Sequence, residues 1–281
     1  MNGQLALPLC QRWNRGRTSY RPAREPIDTR RHAVDLIETR DAKAFIREHH
    51  YSHSFPSSIL PVGLFRTEPF HTARLAGVAV FGVPTHQGVI PHWTGVPPKN
   101  GCLLARFALL NEVEGNGETY TLGRAWDALR REKPHIEVVL AYSDPVARRA
   151  PSGQILKPGH YGHIYRSHNG YYLGRARART LIVAAGGVIV NERSLSKLRN
   201  DERGRDGVEA DLRRLGAPPR HPHESGAAYV DRAIREGPFR RVPHPGCHVY
   251  AWAVRPDNRE LRAALAARAL PPPTHPDPLC L

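Results

Sequence analysis

The chain has 281 residues, 40% of them hydrophobic, enough for one large α/β domain or two small ones with a real core. Its formal net charge of +15 comes mostly from arginine, which holds phosphates in bidentate geometry, so nucleic acid is the first partner to consider. Charge alone fits a structural nucleoprotein as well as an enzyme, and motifs must decide. Cys10, Cys102, Cys247 and Cys280 stand apart with no CxxC pair, which argues against a zinc ribbon or disulfide framework and for a reduced, cytoplasmic setting. No apolar run is long enough to span a bilayer, and LALPLC is too short for a signal segment, so no membrane partner is expected.

Residues 1–31 are rich in arginine, proline and polar residues and predict a flexible basic arm, with Trp13 and Tyr20 as stacking faces for nucleic acid or, more plainly, a solubilising tail. AVDLIET predicts a strand and DAKAFIREHH a helix, with Ala42, Phe45 and Ile46 at helical spacing. VGLF and LAGVAVFGV predict a hairpin pair of strands, and THQGVIPHWTGVPPKNG a loop. CLLARFALL reads as a buried strand. GETYTLGRAWDALRRE follows as an amphipathic helix capped by Asn116, with Leu122, Ala125, Trp126 and Leu129 on one face. IEVVLAYSDP predicts a central strand, GHIYRSHNG a short helix, LIVAAGGVIV a strand pair bent at Gly186 and Gly187, and HVYAWAV the strand that closes the sheet. The core is expected at 32–190, completed by a strand and helix at 244–270. The charged, proline-broken stretch 191–243 is either an inserted subdomain or a surface excursion, and 271–281 is an extended tail. The class is α/β (α+β): a mixed, mostly antiparallel central sheet flanked by helices.

That order of elements is the order of the GNAT acyltransferase architecture. Within it, YSDPVARRAPSGQILKPGHYGHIYRSHNGYYLG looks like the region of that superfamily in which a tyrosine-bearing helix precedes a Gly-Tyr turn, with Tyr165 as the tyrosine. EHHYSHSFP at 48–56, LAGVAVFGVP at 75–84, LLARFALL at 103–110, ETYTLGRAWDAL at 118–129, YSDP at 142–145 and GHYGHIYRSHNGYYLG at 159–174 together resemble the Mom family of phage proteins. The resemblance implies a GNAT-like fold, double-stranded DNA as acceptor, a methylcarbamoyl-type group on adenine N6 and protection of phage DNA from host restriction. It also implies an iron-dependent site and a small-molecule donor, acetyl-CoA or a related acyl donor. The chain departs from the pattern in its long loop 146–158 and its basic ends. It also lacks the Q/R-x-x-G-x-G/A pyrophosphate loop, which bears on coenzyme A binding.

The candidate catalytic residues are His50, Tyr51, Arg106, Asp144 and Tyr165. His49, His50 and His53 crowd the end of one helix, as a metal-binding face or as a surface cluster, and Tyr51 and Ser52 complete the family's HYS element. Arg106 interrupts an apolar strand and must meet an anion, either a carboxylate such as Asp144 or a ligand's phosphate or oxyanion. Asp144 sits where a central strand ends, as an ordinary Asp-Pro turn or as a catalytic or metal-ligating carboxylate. With the family match, Asp144, His160 and Tyr161 are the candidate metal ligands. Tyr165 is an acid or base, or helix packing. Leu109, Gly115, Gly117 and Thr119 are the candidate cofactor-binding positions, where N–H groups at a helix start would meet donor phosphates, and a capping loop explains them too. Two other functions compete: a GNAT-type acyltransferase acting on a protein or small-molecule amine, and a non-catalytic DNA-binding protein.

Overall fold

The apolar runs become the inner strands of a seven-stranded sheet in a computed structural model that describes residues 9–14, 17–22, 25–150 and 152–273. In chain order the first half forms β1 (Leu9–Asn14), β2 (Arg17–Pro22), β3 (His32–Leu36), α1 (Thr39–His49), β4 (Ser58–Arg66), β5 (Arg74–Gly82), α2 (Val89–Thr94), β6 (Gly101–Leu109), α3 (Gly117–Glu132) and β7 (Val138–Ser143). There follow β8 (Arg148–Arg149), β9 (Ile155–Lys157), α4 (His163–Ser167), β10 (Tyr171–Arg175), β11 (Arg179–Ala184) and β12 (Ile189–Val190). The chain continues through α5 (Glu192–Arg199), α6 (Arg205–Arg214), α7 (Gly226–Glu236), β13 (Phe239–His244), β14 (His248–Ala253) and α8 (Arg259–Arg268).

Two compact units result. Over the described residues, the first takes those up to Pro145, Lys157–Arg175 and 247–273; the second takes Val146–Leu156 and Ala176–Gly246. In the first unit the strand order is β10-β14-β7-β6-β5-β4-β3, antiparallel throughout except for the parallel pair β6–β7. This is the expected mixed, mostly antiparallel sheet flanked by helices. Alternation along β5 explains its two layers. Val78 and Val80 pack on Ala42, Phe45 and Ile46 of α1, whereas Ala79 and Phe81 pack with Leu122 and Trp126 of α3. Each fully buried side chain of this kind contributes about 1.5–3 kcal/mol.

The second unit is a three-stranded sheet, β12-β11-β13, packed on α5–α7 through Ile182, Leu195, Leu198, Tyr229 and Ile234. It carries a core of its own, so the stretch expected as an insert or an excursion is a folded insert. It begins earlier than the sequence suggests, because LIVAAGGVIV pairs with β13 here and not with the central sheet.

Three other expectations change. The 1–31 arm forms the β1–β2 hairpin over its described residues; Arg12 donates to the Val113 and Glu114 carbonyls and ion-pairs with buried Glu118. The side chain of Trp13 and residues 274–281 of the tail lie outside the described residues. The loop after β5 contains α2, closed by Gly95 at φ 75°. Asn116 occupies the N-cap of α3 without a side-chain cap bond. Among the described residues, no helix is long and apolar enough to cross a membrane.

Candidate active site

The parallel pair is where the sheet opens. β6 and β7 are in register only over Gly101–Leu103 and Val138–Leu140; beyond that β6 stays with β5 and β7 with β14. Crevices outside the carboxyl ends of parallel strands bind ligands in open α/β sheets, because side chains from diverging strands converge there with no ladder to fill the space. Arg106 lies on β6 past the split, Ser143 ends β7 and Asp144 follows it.

Arg106 pairs with Val80 across the sheet, which puts it on the face covered by α1. Among the described residues it meets no carboxylate. Its Nε donates to the Ser54 carbonyl at 3.0 Å, Nη2 to Ser54 Oγ at 2.8 Å and Nη1 to the Ala105 carbonyl at 2.6 Å. Those three bonds fasten the loop after α1 and leave two of the five guanidinium N–H groups for a ligand.

The anchored loop turns His50 inward. The three histidines do not share a ligand face: His49 stacks on Phe45, and His53 donates from Nδ1 to the Arg47 carbonyl at 2.8 Å. His50 is 7% exposed, with its ring 4.1 Å from that of Tyr51. Tyr51 lies 6.5 Å from His160, and His160 lies 6.2 Å from Tyr165. His50, Tyr51, Arg106, Asp144, His160 and Tyr165 therefore come together.

The two inner imidazoles are held in opposite tautomers. Ser143 Oγ donates its one proton to the His160 carbonyl at 2.6 Å, so at 3.2 Å it accepts from His160 Nδ1, and Nε2 keeps its lone pair. In His50, Nδ1 accepts the Ser52 N–H at 3.1 Å, so Nε2 carries the proton. Burial lowers the pKa of both: well below the usual value for His50, with Arg106 adding to the effect, and to about 4 for His160, with Lys157 adding to it. Both rings are neutral near neutral pH, one presenting a donor and the other an acceptor. Burial pushes the Tyr165 phenol up, so it stays protonated.

Sequence reasoning missed Lys157. It is 1% exposed, and its ammonium lies 2.9 Å from Asp144 Oδ2, 3.1 Å from the Asp144 carbonyl and 5.9 Å from the centre of the Tyr51 ring. The partner expected for Arg106 thus belongs to Lys157. The only signal in the sequence was a lysine in the QILKPGHYG stretch, and a charge there reads as solvated loop.

Tyr165 is seated by aromatic packing on β14, 5.5 Å from both Tyr250 and Trp252. Gly162 (φ 76°) and Gly170 permit this, since a Cβ at either would run into Tyr250 or Trp252.

Other predicted positions fall elsewhere. The burial of Tyr161 raises its phenol pKa, the charge it feels is that of Tyr20, and its carbonyl accepts from the Tyr250 hydroxyl. Leu109 and Gly117 pack with Val113 in a separate apolar cluster, and Thr119 is exposed. The N–H groups expected to cradle phosphate have partners within the chain. Gly115 donates to Glu25 Oε2 at 3.2 Å, Asn116 to the Glu25 carbonyl at 3.0 Å and Gly117 to the Glu114 carbonyl at 2.9 Å.

The sequence profile of the Mom protein family matches residues 31–215, a span that includes every inner residue of the cleft. No curated protein matches the chain. Among solved structures, it is similar to a tandem GNAT protein from the clavulanic acid biosynthesis pathway, at 8% identity and a TM-score of 0.39, over 81% of this chain and 100% of that one. With its profile matched over well above half its length, this chain belongs to the Mom protein family, a family of DNA-modifying proteins.

Proposed function

We propose that this chain transfers a small group, of methylcarbamoyl type, to the N6 amine of adenine in double-stranded phage DNA, and so protects that DNA from restriction. The observation that carries the reading is the meeting of Arg106, His50, Tyr51, His160, Asp144 and Tyr165 at the β6–β7 split. In a duplex the N6 amine is paired, so the adenine must leave the stack, and the Tyr51 and Tyr165 rings offer faces for the flipped base.

The chemistry needs donors on one side of the reacting carbon and an acceptor on the other. The N6 lone pair forms the new N–C bond and the donor's leaving group departs with its bonding pair. Arg106 and His50 Nε2–H stabilise the negative charge developing on the donor oxygen in this reading. Adenine N6 turns strongly acidic once bonded to that carbon, so a weak base suffices: the Asp144 carboxylate or His160 Nε2 takes the proton. Lys157 holds the Asp144 carboxylate in place.

Two groups that the family resemblance implies find their expected residues engaged otherwise. Of those expected for iron, Asp144 carries the Lys157 ammonium on its carboxylate and His160 donates its Nδ1 proton to Ser143 Oγ. For the diphosphate of an acyl-coenzyme A, the β6–α3 turn has its N–H groups engaged by Glu25 and Glu114, with buried Glu118 beside them. No step is derived through either.

The test is a nucleoside mass spectrum of DNA from cells expressing wild type, Arg106→Ala or Asp144→Ala, all soluble. A modified adenine with wild type, lost in both variants, is expected. Unmodified nucleosides with wild type sink the reading.

A further inference from the structure

We propose that the small sheet of the second unit, through Arg177, Arg179, Arg240 and Arg241, with Arg149 at one end, forms a surface that grips the phosphate backbone of duplex DNA. This rests on the reading that DNA is the substrate, and adds where the chain holds it.

Most arginines on the helix side of this unit are paired: Arg193 with Glu202, Arg199 with Glu192, Arg205 with Asp201, Arg214 with Asp211 and Arg232 with Glu224, whereas Arg203 and Arg213 are exposed with no ion pair among the described residues. The five arginines of the sheet side are all exposed and have no ion pair among the described residues. β13 is an edge strand; Arg240 shares the face of Arg179, whereas Arg241 lies opposite Ile182 on the helix-packed face and is exposed there. Arg179 pairs with His244, four positions along β13 from Arg240, which spaces the two arginines by about 13 Å at a rise of about 3.3 Å per residue. Gly187, just beyond β11, abuts the Arg149 backbone, placing that residue at the Arg240 end. A row of this length covers several charges of a duplex, which carries one per about 1.7 Å of its axis.

Charged residues on an edge strand also discourage strand pairing between molecules. That role accounts for Arg240 and Arg241 but not for Arg177 and Arg179, which lie just before and at the start of the central strand β11. Guanidiniums left unpaired in a group repel one another, and a polyanion relieves that repulsion with bidentate contacts.

The experiment measures binding of the full chain to a short fluorescent duplex over a range of salt. It compares wild type with Arg240→Gln/Arg241→Gln, Arg177→Gln/Arg179→Gln and a helix-side control of equal charge change, Arg203→Gln/Arg213→Gln. For each phosphate contact removed, the slope of log K against log salt should fall by about 1, with affinity down roughly tenfold for each sheet-side pair and little changed for the control. The proposal is overturned if the sheet variants keep wild-type affinity and slope, or if the control weakens as much. It is also overturned if single-stranded RNA of equal length outcompetes the duplex, or if wild type does not bind. Nucleoside mass spectra of the same proteins separate the two ideas. Adenine modification with unchanged binding by the sheet variants removes the surface and leaves the activity; binding that depends on these arginines without any modified adenine does the reverse.

Discussion

The Lys157 ammonium lies 2.9 Å from Asp144 Oδ2 and also donates to the Asp144 carbonyl, so one buried cation fixes both the side chain and the backbone of the residue that follows β7. Lys157→Met keeps the bulk and removes the charge. Because Asp144 retains 24% of its side-chain exposure, the loss should be about 1–3 kcal/mol, below the ~3–5 of a fully sealed pair. Urea denaturation reads it, and a change within about 0.5 kcal/mol, the scatter of an ordinary surface substitution, contradicts a structural ion pair. Adenine modification should fall at least tenfold, through the displaced carboxylate.

Arg106→Lys keeps the charge but cannot hold the Ser54 carbonyl and hydroxyl together. Modification should drop by about tenfold or more, the order of one lost transition-state donor, while circular dichroism stays unchanged. Amide exchange across residues 50–55 should quicken. Full activity in this variant would mean that charge alone matters.

Acid should loosen the site. His160 titrates near 4 when folded and near its ordinary 6.5 when unfolded, so between those values the unfolded chain binds more protons. The sign follows: this contribution is complete above 6.5 and is lost as pH falls towards 4. His50 is shifted in the same direction. Denaturation midpoints should decline over that window, and less steeply for His160→Gln. Equal slopes for the two proteins would contradict a buried neutral imidazole.

Glu25→Ala should free the Gly115 N–H in the β6–α3 turn. The Glu25 carboxylate accepts from Gly115 N–H and pairs with Arg21. Hydrogen exchange at Gly115 should rise about tenfold, equivalent to one net hydrogen bond of about 1.4 kcal/mol at the upper end of the usual range. In wild type, inorganic pyrophosphate should leave the amide resonances of 115–117 unmoved. A specific shift there would restore the turn as a phosphate site.

Much of the architecture was legible because period-2 and helical apolar patterns survive in LAGVAVFGV, CLLARFALL and the α3 segment, where burial on one face or two dictates residue type. Arg106 stood out for the same reason, as one charge in an apolar run. The second unit's sheet was misread as part of the main one, since an apolar strand pair carries no mark of which sheet it joins. Lys157 and the opposite tautomers of His50 and His160 were invisible, because they depend on serine and carboxylate neighbours set by tertiary packing. The Glu25 bond to Gly115 was hidden too, being a contact across 90 residues.

The second unit separates β10 from β14, yet those strands are neighbours, with Arg175 opposite His248. During synthesis, β7 must therefore wait with one side bare until the chain beyond Cys247 leaves the ribosome, while the intervening segment already has what it needs to collapse on its own core. The wall of the cleft that carries Tyr165 rests on Tyr250 and Trp252, so it is the last part built. A polypeptide interrupted before that point would hold its histidines and Arg106 but lack the surface that seats Tyr165 against them.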